Sequence, residues 1–351
     1  MIQVYVKDNK NYINNGDMTL IPSSCIHEYD LEGINQIELE HEYDEEGRWK
    51  YLVNDNIIAT PTAYSDKQLF RIYNTKKNNG KIVVYARHVF FDSIGEFIVN
   101  KAITDKKGNE ALAEIFEDSV ITTYSDIEDV NSLTLEKVNV ISALAADKDS
   151  FLSVWGGERL YNNYDLYVMK QLGEDKGLRA EFGHNLTEIE EDISIENVVT
   201  RIIPTAYNGY MLPEVYVDSD LVNDYAIVKS EFINFDDIKL QSDCSEDEIG
   251  YGTLEHLYEA LREACRKKFT EENIDKPLVN YKVNMVELST TEEYKNYSQL
   301  EKVNLGDTVS CKHKLINIET AARAIRIKWN CITKENQEIE LGNFLKKFYQ
   351  E

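Results

Sequence analysis

Only five prolines and sixteen glycines occur in 351 residues, so collagen-like and Pro/Gly-rich classes are excluded. Basic residues are also scarce: 38 Lys and Arg stand against 63 Asp and Glu, a formal charge of −25. That balance disfavours a protein that coats nucleic acid through bulk positive charge, and no local basic run offsets it. The five cysteines, Cys25, Cys244, Cys265, Cys311 and Cys331, are scattered and form no CxxC pair. A disulfide framework is not expected. No basic-then-apolar leader follows Met1, and no apolar run approaches the roughly 18 residues of a spanning helix. Neither a signal peptide nor a membrane span is expected, which fits synthesis in a reducing cytoplasm.

What is present is ample core material. Hydrophobic residues make up 42% of the chain, enough for two or three packed domains. Tyr outnumbers Phe by 22 to 12, and Val, Ile, Thr and Tyr run along the whole length, which favours strands. Ile2, Val4 and Val6 alternate with polar positions, as do Ile37, Leu39, His41 and Tyr43, the period of half-buried strands. Two apolar runs within Gln68 to His88 flank Asn79-Gly80, which predicts a hairpin.

The period then changes. Gly108 to Asp118 and Val138 to Ala146 read as helices, and Ser150 is placed to cap a third. Arg159 to Leu172 and Leu178 to Ile189 read as strands around Gly173 and Gly177, and Val198 to Pro204 as another. Asp236 to Gly252 reads as an acidic loop. Thr253 to Asn273 is the strongest helix, capped by Thr253 and striped by Leu254, Leu257, Tyr258, Leu261, Cys265 and Phe269. Strands resume at Val279 to Leu288, Asp307 to Lys312, Ala321 to Trp329 and Ile339 to Leu341. No repeat of solenoid or propeller period is visible.

Chemistry-bearing constellations are thin. His27, Glu28, Asp30, His41, Glu42 and Asp44 supply metal-ligand types, but on strands where neighbours face opposite ways a solvated face is the simpler reading. Cys311, His313 and Cys331 lack a fourth ligand motif, and a lone Cys is commonly a small buried hydrophobe. Gly250-Tyr251-Gly252 precedes a helix, yet Glu246, Asp247 and Glu248 would repel a phosphate. Trp49, Trp155 and Trp329 are sugar-stacking candidates whose usual role is packing. No nucleophile signature is present. The expected catalytic, cofactor-binding and metal residues are therefore none, and no cofactor is expected.

Longer stretches carry more information. Gln68 to Tyr73 and Val84 to Asp92 resemble the N-terminal region of siphophage and prophage tail proteins, the prophage tail endopeptidase or tail-associated lysin family. Trp155-Gly-Gly-Glu158, Leu178 to Leu186 and Asn197 to Pro204 resemble its central motif, and Leu212 to Glu214 and Tyr216 to Ser219 continue it. Val279 to Val283, Leu305 to Val309 and Glu338 to Phe344 are similar to its closing segment, so the likeness spans residues 1 to about 345.

The resemblance implies a β-rich α+β, multidomain tail-hub fold with two antiparallel β-barrel domains and smaller α+β domains, as in contractile-phage baseplate hubs. The expected division is a first barrel at 1–91 completed by 195–240, a mixed insertion at 92–194, a loop and connecting helix at 241–276, and a second barrel at 277–351. The implied function is a structural hub at the virion tail tip, a homotrimeric ring that continues the tail tube and lets phage DNA pass without specific binding. Its implied partners are the distal tail protein, other tail or tape-measure proteins and, indirectly, the host surface. Longer members carry C-terminal lytic modules. Because this chain ends at Glu351, the resemblance implies structure rather than catalysis, with a cell-wall peptidase or glycosidase, or a receptor- or sugar-binding module, as alternatives.

Overall fold

A computed structural model describes residues 1–182, 185–244, 250–285, 302–316 and 318–342. The chain divides into two compact units, one formed by residues 1–190 with the described residues from 281 onward, the other by residues 191–280.

The first unit opens with β1 (Ile2–Tyr5), β2 (Met18–Leu20), β3 (Ser24–Asp30), β4 (Asn35–Glu42), β5 (Ile57–Thr62), β6 (Ser65–Lys77) and β7 (Lys81–His88). On β4 the alternation holds, with Ile37, Leu39 and His41 buried between outward polar residues. On β1 it does not: all four residues are buried, because β2 and β5 pair with both its edges and the chain packs on both its faces. The expected hairpin is β6 and β7, and Asn78 closes its turn by accepting from the Gly80 and Lys81 amides at 3.1 and 3.0 Å.

Next comes a mixed segment with β8 (Phe97–Lys106), α1 (Gly108–Ile115), β9 (Thr122–Ser125), β10 (Asn131–Asn139), α2 (Val140–Ala145), α3 (Phe151–Val154), β11 (Glu158–Asn162) and β12 (Asp165–Met169). Its helices bury Leu112, Leu144 and Phe151 against Phe90, Trp155 and Leu166. Ser150 caps α3, its hydroxyl accepting from the Ser153 amide at 3.2 Å.

The chain continues through β13 (Leu178–Glu181) and β14 (Leu186–Ser194) into the second unit. There β15 (Arg201–Ala206) lies between β16 (Val217–Asp218) and β17 (Ser230–Phe235), beside α4 (Leu254–Thr270). Thr253 caps α4, and Leu257, Leu261, Cys265 and Phe269 form its buried stripe with Val199, Ile202 and Phe235. Leu254, expected in that stripe, is exposed at the first turn.

Four more strands, β18 (Leu278–Met285), β19 (Thr308–His313), β20 (Ile318–Asn330) and β21 (Glu335–Gly342), lead back to the first unit. One sheet of thirteen strands results, in the order β14-β18-β21-β20-β3-β4-β7-β6-β5-β1-β2, with β13 and β19 attached beside β20. The strands expected as a separate C-terminal barrel thus share a sheet with the N-terminal ones, and among the described residues no pairing closes the path.

Charge helps to set this register. Arg326 and Lys328 of β20 face Asp30 and Glu28 of β3 on one side, and Glu340 and Glu338 of β21 on the other. Arg326 bonds Asp30 at 3.0 Å and Lys328 bonds Glu338 at 2.9 Å, the opposite-sign cross-strand pairing that stabilises adjacent strands. The intervening Tyr29, Ile327 and Ile339 point to the core.

Candidate functional site

A buried polar cluster lies where the end of the mixed segment meets the returning C-terminal strands. Asp307, fully buried, begins β19's approach in the motif Leu305-Gly306-Asp307. One of its carboxylate oxygens accepts from the Glu174 amide at 3.0 Å and from Lys176 Nζ at 3.1 Å. The other accepts from Lys176 Nζ at 3.0 Å and the Asn304 amide at 2.9 Å. A few residues away, Arg323 grips Glu158 in a two-toothed pair at 2.7 and 2.8 Å and donates to the Leu172 carbonyl at 2.8 Å. Glu158 also accepts from the Leu172 amide at 2.7 Å.

Two glycines allow the backbones to approach. A Cβ on Gly173 would lie 2.1 Å from the Gly306 carbonyl carbon, and one on Gly306 would lie 2.4 Å from the Leu172 carbonyl oxygen. Both sit at positive φ, +69° and +87°, where side chains are disfavoured. Each carboxylate oxygen in this cluster already holds at least one donor. Such a cluster locks two segments of chain together; it leaves little capacity for proton transfer or for a ligand.

A second buried network joins the β11–β12 turn to β6. Gln68 donates to Asn162 at 2.6 Å, while its carbonyl oxygen accepts from the Asn163 amide at 2.9 Å and from His88 Nε2 at 2.8 Å. His88 Nδ1 accepts from the Phe90 amide, which leaves the proton on Nε2. Burial holds this imidazole down to about 3. On the far side of Phe70, His27 stacks on Tyr29 and bonds Asn35 Oδ1 at 2.8 Å. Burial lowers it to about 4, with the Asn35 bond opposing.

The conspicuous acidic and histidine residues of the first 44 positions are thereby separated. His41 uses both ring nitrogens, on the Glu42 carbonyl at 2.6 Å and the Ile21 amide at 3.4 Å. Glu28 accepts from Gln36, Asp30 holds Arg326, and Asp44 accepts from the Arg48 backbone and side chain. Glu42 is exposed. Among the described residues no group of three or more His, Cys, Asp and Glu is placed to hold a metal ion.

Cys311 and His313 do share the buried face of β19, with Phe182 against the imidazole at 4.0 Å. Burial pushes the Cys311 thiol up to about 12. Cys331 lies instead beside Cys25, and all five cysteines are free.

In the second unit Gly250 donates to Gln241, and Tyr251 pairs with Leu240. They line an open cleft of about 840 Å³ with His256, Glu259 and Glu263. Its Arg262 is held by Glu214 at 2.6 and 3.0 Å and its Arg266 is paired with Glu263 at 3.4 Å, so each arginine of the cleft already faces a carboxylate. Glu246, Asp247 and Glu248 lie outside the described residues. Trp155 stacks on Phe151 and donates to the Lys106 carbonyl at 3.1 Å, and Trp329 is 3% exposed opposite His27. These two are core residues. Trp49 is half-buried, packed on Tyr43 with Lys50 and Lys77 over its ring.

The sequence matches the family model for the prophage endopeptidase tail over residues 175–350, half of the chain. The chain belongs to that family. Its fold is that of prophage tail proteins, and its place is the virion tail. A prophage tail protein from Listeria monocytogenes EGD-e superposes with a TM-score of 0.61 at 14% identity, covering 99% of this chain and 95% of that one. The 43 kDa tail protein of prophage MuSo2 from Shewanella oneidensis gives 0.62 at 9% identity over 92% of each chain. A tail protein from Neisseria meningitidis MC58 gives 0.61 at 8% identity, covering 97% of this chain and 96% of that one. No curated protein matches the sequence.

In this prophage tail protein the family-like motifs coincide with the joints. Glu158 ends the Trp155-Gly-Gly motif, and Gly306 and Asp307 lie within the Leu305 to Val309 motif. Sequence reasoning noted Gly173 and these motifs without joining them. Neither network was foreseen, because no local spacing links residue 158 to 323 or 68 to 163.

Proposed function

We propose that this prophage tail protein is a structural hub at the tail tip, assembling as a homotrimeric ring that continues the tail tube and lets DNA pass. The observation that carries this reading is the thirteen-stranded sheet, whose path ends on β2 and β14 without a closing pair among the described residues. Exposed strand edges are templates for pairing with another chain, and head-to-tail contacts between identical subunits close into rings. In this reading β1–β7 belong to a first barrel-like domain that residues 195–240 complete, with the mixed segment inserted into it, and β18–β21 belong to a second, joined to the first by the loop and helix of residues 241–276. The distal tail protein and tape-measure proteins are its neighbours along the tube axis, and the host surface is met only indirectly.

The net charge of −25 suits a wall past which a DNA backbone must slide without adhering. The positively charged side chains of the sheet are partly engaged already, as the Arg326 and Lys328 ion pairs illustrate. In this reading the chain carries no catalysis of its own, since the buried carboxylates of its motifs are occupied by structural donors.

Light scattering over a concentration series tests the assembly, with three copies of the 40.6 kDa chain as the expected particle. A zymogram on host cell wall tests the rest. A mass that never exceeds one chain, or a cleared band from the purified protein, would overturn the corresponding half of the proposal.

A further inference from the structure

Cys25 and Cys331 stand opposite each other at the end of the β3–β20 ladder. The ladder runs from Asp30 against Arg326 to Ile26 against Asn330, and Cys25 against Cys331 is the next rung. The Cys331 amide donates to the Cys25 carbonyl at 2.9 Å, and at the other end the Leu31 amide donates to the Ile325 carbonyl at 3.0 Å. This alternation makes the cysteines a hydrogen-bonded antiparallel pair. Such pairs hold their Cα atoms about 5.5 Å apart, within the roughly 4.4–6.8 Å that a disulfide spans.

Both side chains are buried, on the same inner face as His27 and Trp329. The remaining cysteines are elsewhere: Cys311 on β19, Cys244 and Cys265 in the second unit.

We propose that Cys25 and Cys331 are an oxidation site, where an intramolecular disulfide fastens an N-terminal strand to a C-terminal one. With a small-molecule disulfide such as oxidised glutathione as oxidant, one cysteine thiolate attacks and releases a glutathione thiolate. The second cysteine thiolate then attacks the first cysteine's sulfur in the mixed disulfide and releases the other. Two S–H bonds are lost and one S–S bond forms. Two protons leave, and two electrons reduce the oxidant. The neighbouring Cys331 thiol and burial raise the Cys25 pKa, so the closed native sheet exchanges slowly and the bond forms during folding or when this end of the ladder opens. The ring it closes reaches from residue 25 to residue 331, so it restricts most of the unfolded chain.

The test is refolding of the full chain in glutathione buffers of stepped redox ratio, followed by acid quench, alkylation, thiol counting and peptide mapping. The expected result is a fall from five free thiols to three, a single cross-link between the Cys25 and Cys331 peptides, and a Tm higher by about 10 °C or more. In Cys331→Ser the cross-link and the Tm gain should both vanish. Retention of five thiols at every ratio overturns the proposal, as do cross-links scattered among Cys244, Cys265 and Cys311. Because the mapping is done on the unaltered chain, it does not depend on whether the variant folds.

Discussion

Mild acid should loosen the N-terminal sheet through two buried imidazoles. His27 and His88 are both fully buried and neutral, held down to about 4 and about 3 against an ordinary value of 6.5. A group whose pKa is lowered on folding binds protons more readily in the unfolded chain. The stability tied to it is therefore intact above pH 6.5 and is lost as pH falls toward the folded value. At pH 4 the unfolded chain holds both protons, His27 is about half protonated in the fold, and His88 is still neutral. Linkage then gives a loss of about 3 kcal/mol for each site, or about 6 kcal/mol together, against the roughly 5–15 kcal/mol that typically separates folded from unfolded. The surface carboxylates Asp44, Glu214 and Glu319, held low by Arg48, Arg262 and Lys312, also weaken the fold in acid, so the comparison must cancel them. Urea unfolding of the unaltered chain and of a His27→Gln, His88→Gln chain at pH 7 and pH 4 does so. The double variant should lose several kcal/mol less stability across that interval. Equal losses in the two proteins would refute the reasoning.

The glycine contact at the joint gives a sharper steric test. Gly173→Ala or Gly306→Ala forces a Cβ into opposing backbone at positive φ, and each should cost more than about 3 kcal/mol by denaturant unfolding, against the ~1 kcal/mol of ordinary glycine strain. Arg323→Ala strands the Glu158 carboxylate, which is 8% exposed, and should cost about 3 kcal/mol, while Arg323→Ala with Glu158→Leu should recover a substantial part of it.

The elements were legible where periodicity and capping act locally. The β6–β7 hairpin, α4 with Thr253 at its cap and α3 with Ser150 at its cap all follow from neighbours within a few residues. The partner of β20 was not. Glu28-Tyr29-Asp30, Arg326-Ile327-Lys328 and Glu338-Ile339-Glu340 share one pattern, charge on one face and an apolar residue on the other, and opposite signs face each other across both ladders. The pattern is visible in the sequence once the pairing is known, but a chain with 63 acidic residues offers many other matches.

The candidate clusters divided in the same way. The acidic and histidine residues near the N-terminus read as a solvated strand face, yet His27, Asp30 and His41 are buried, with His27 packed beside Phe70. Conversely, Asp307 and Glu158 stand in motifs that the sequence shows, but only the fold shows which donors each carboxylate holds.

By itself the sequence determined that this chain is acidic and strand-rich, and its motifs led to the prophage tail family, since composition, period and ordered motifs are properties of neighbouring residues. Only the tertiary structure decided which strands share a sheet, which carboxylates are locked by donors and which two cysteines face each other, because these depend on contacts between residues as far apart in the chain as Cys25 and Cys331, which local spacing does not encode.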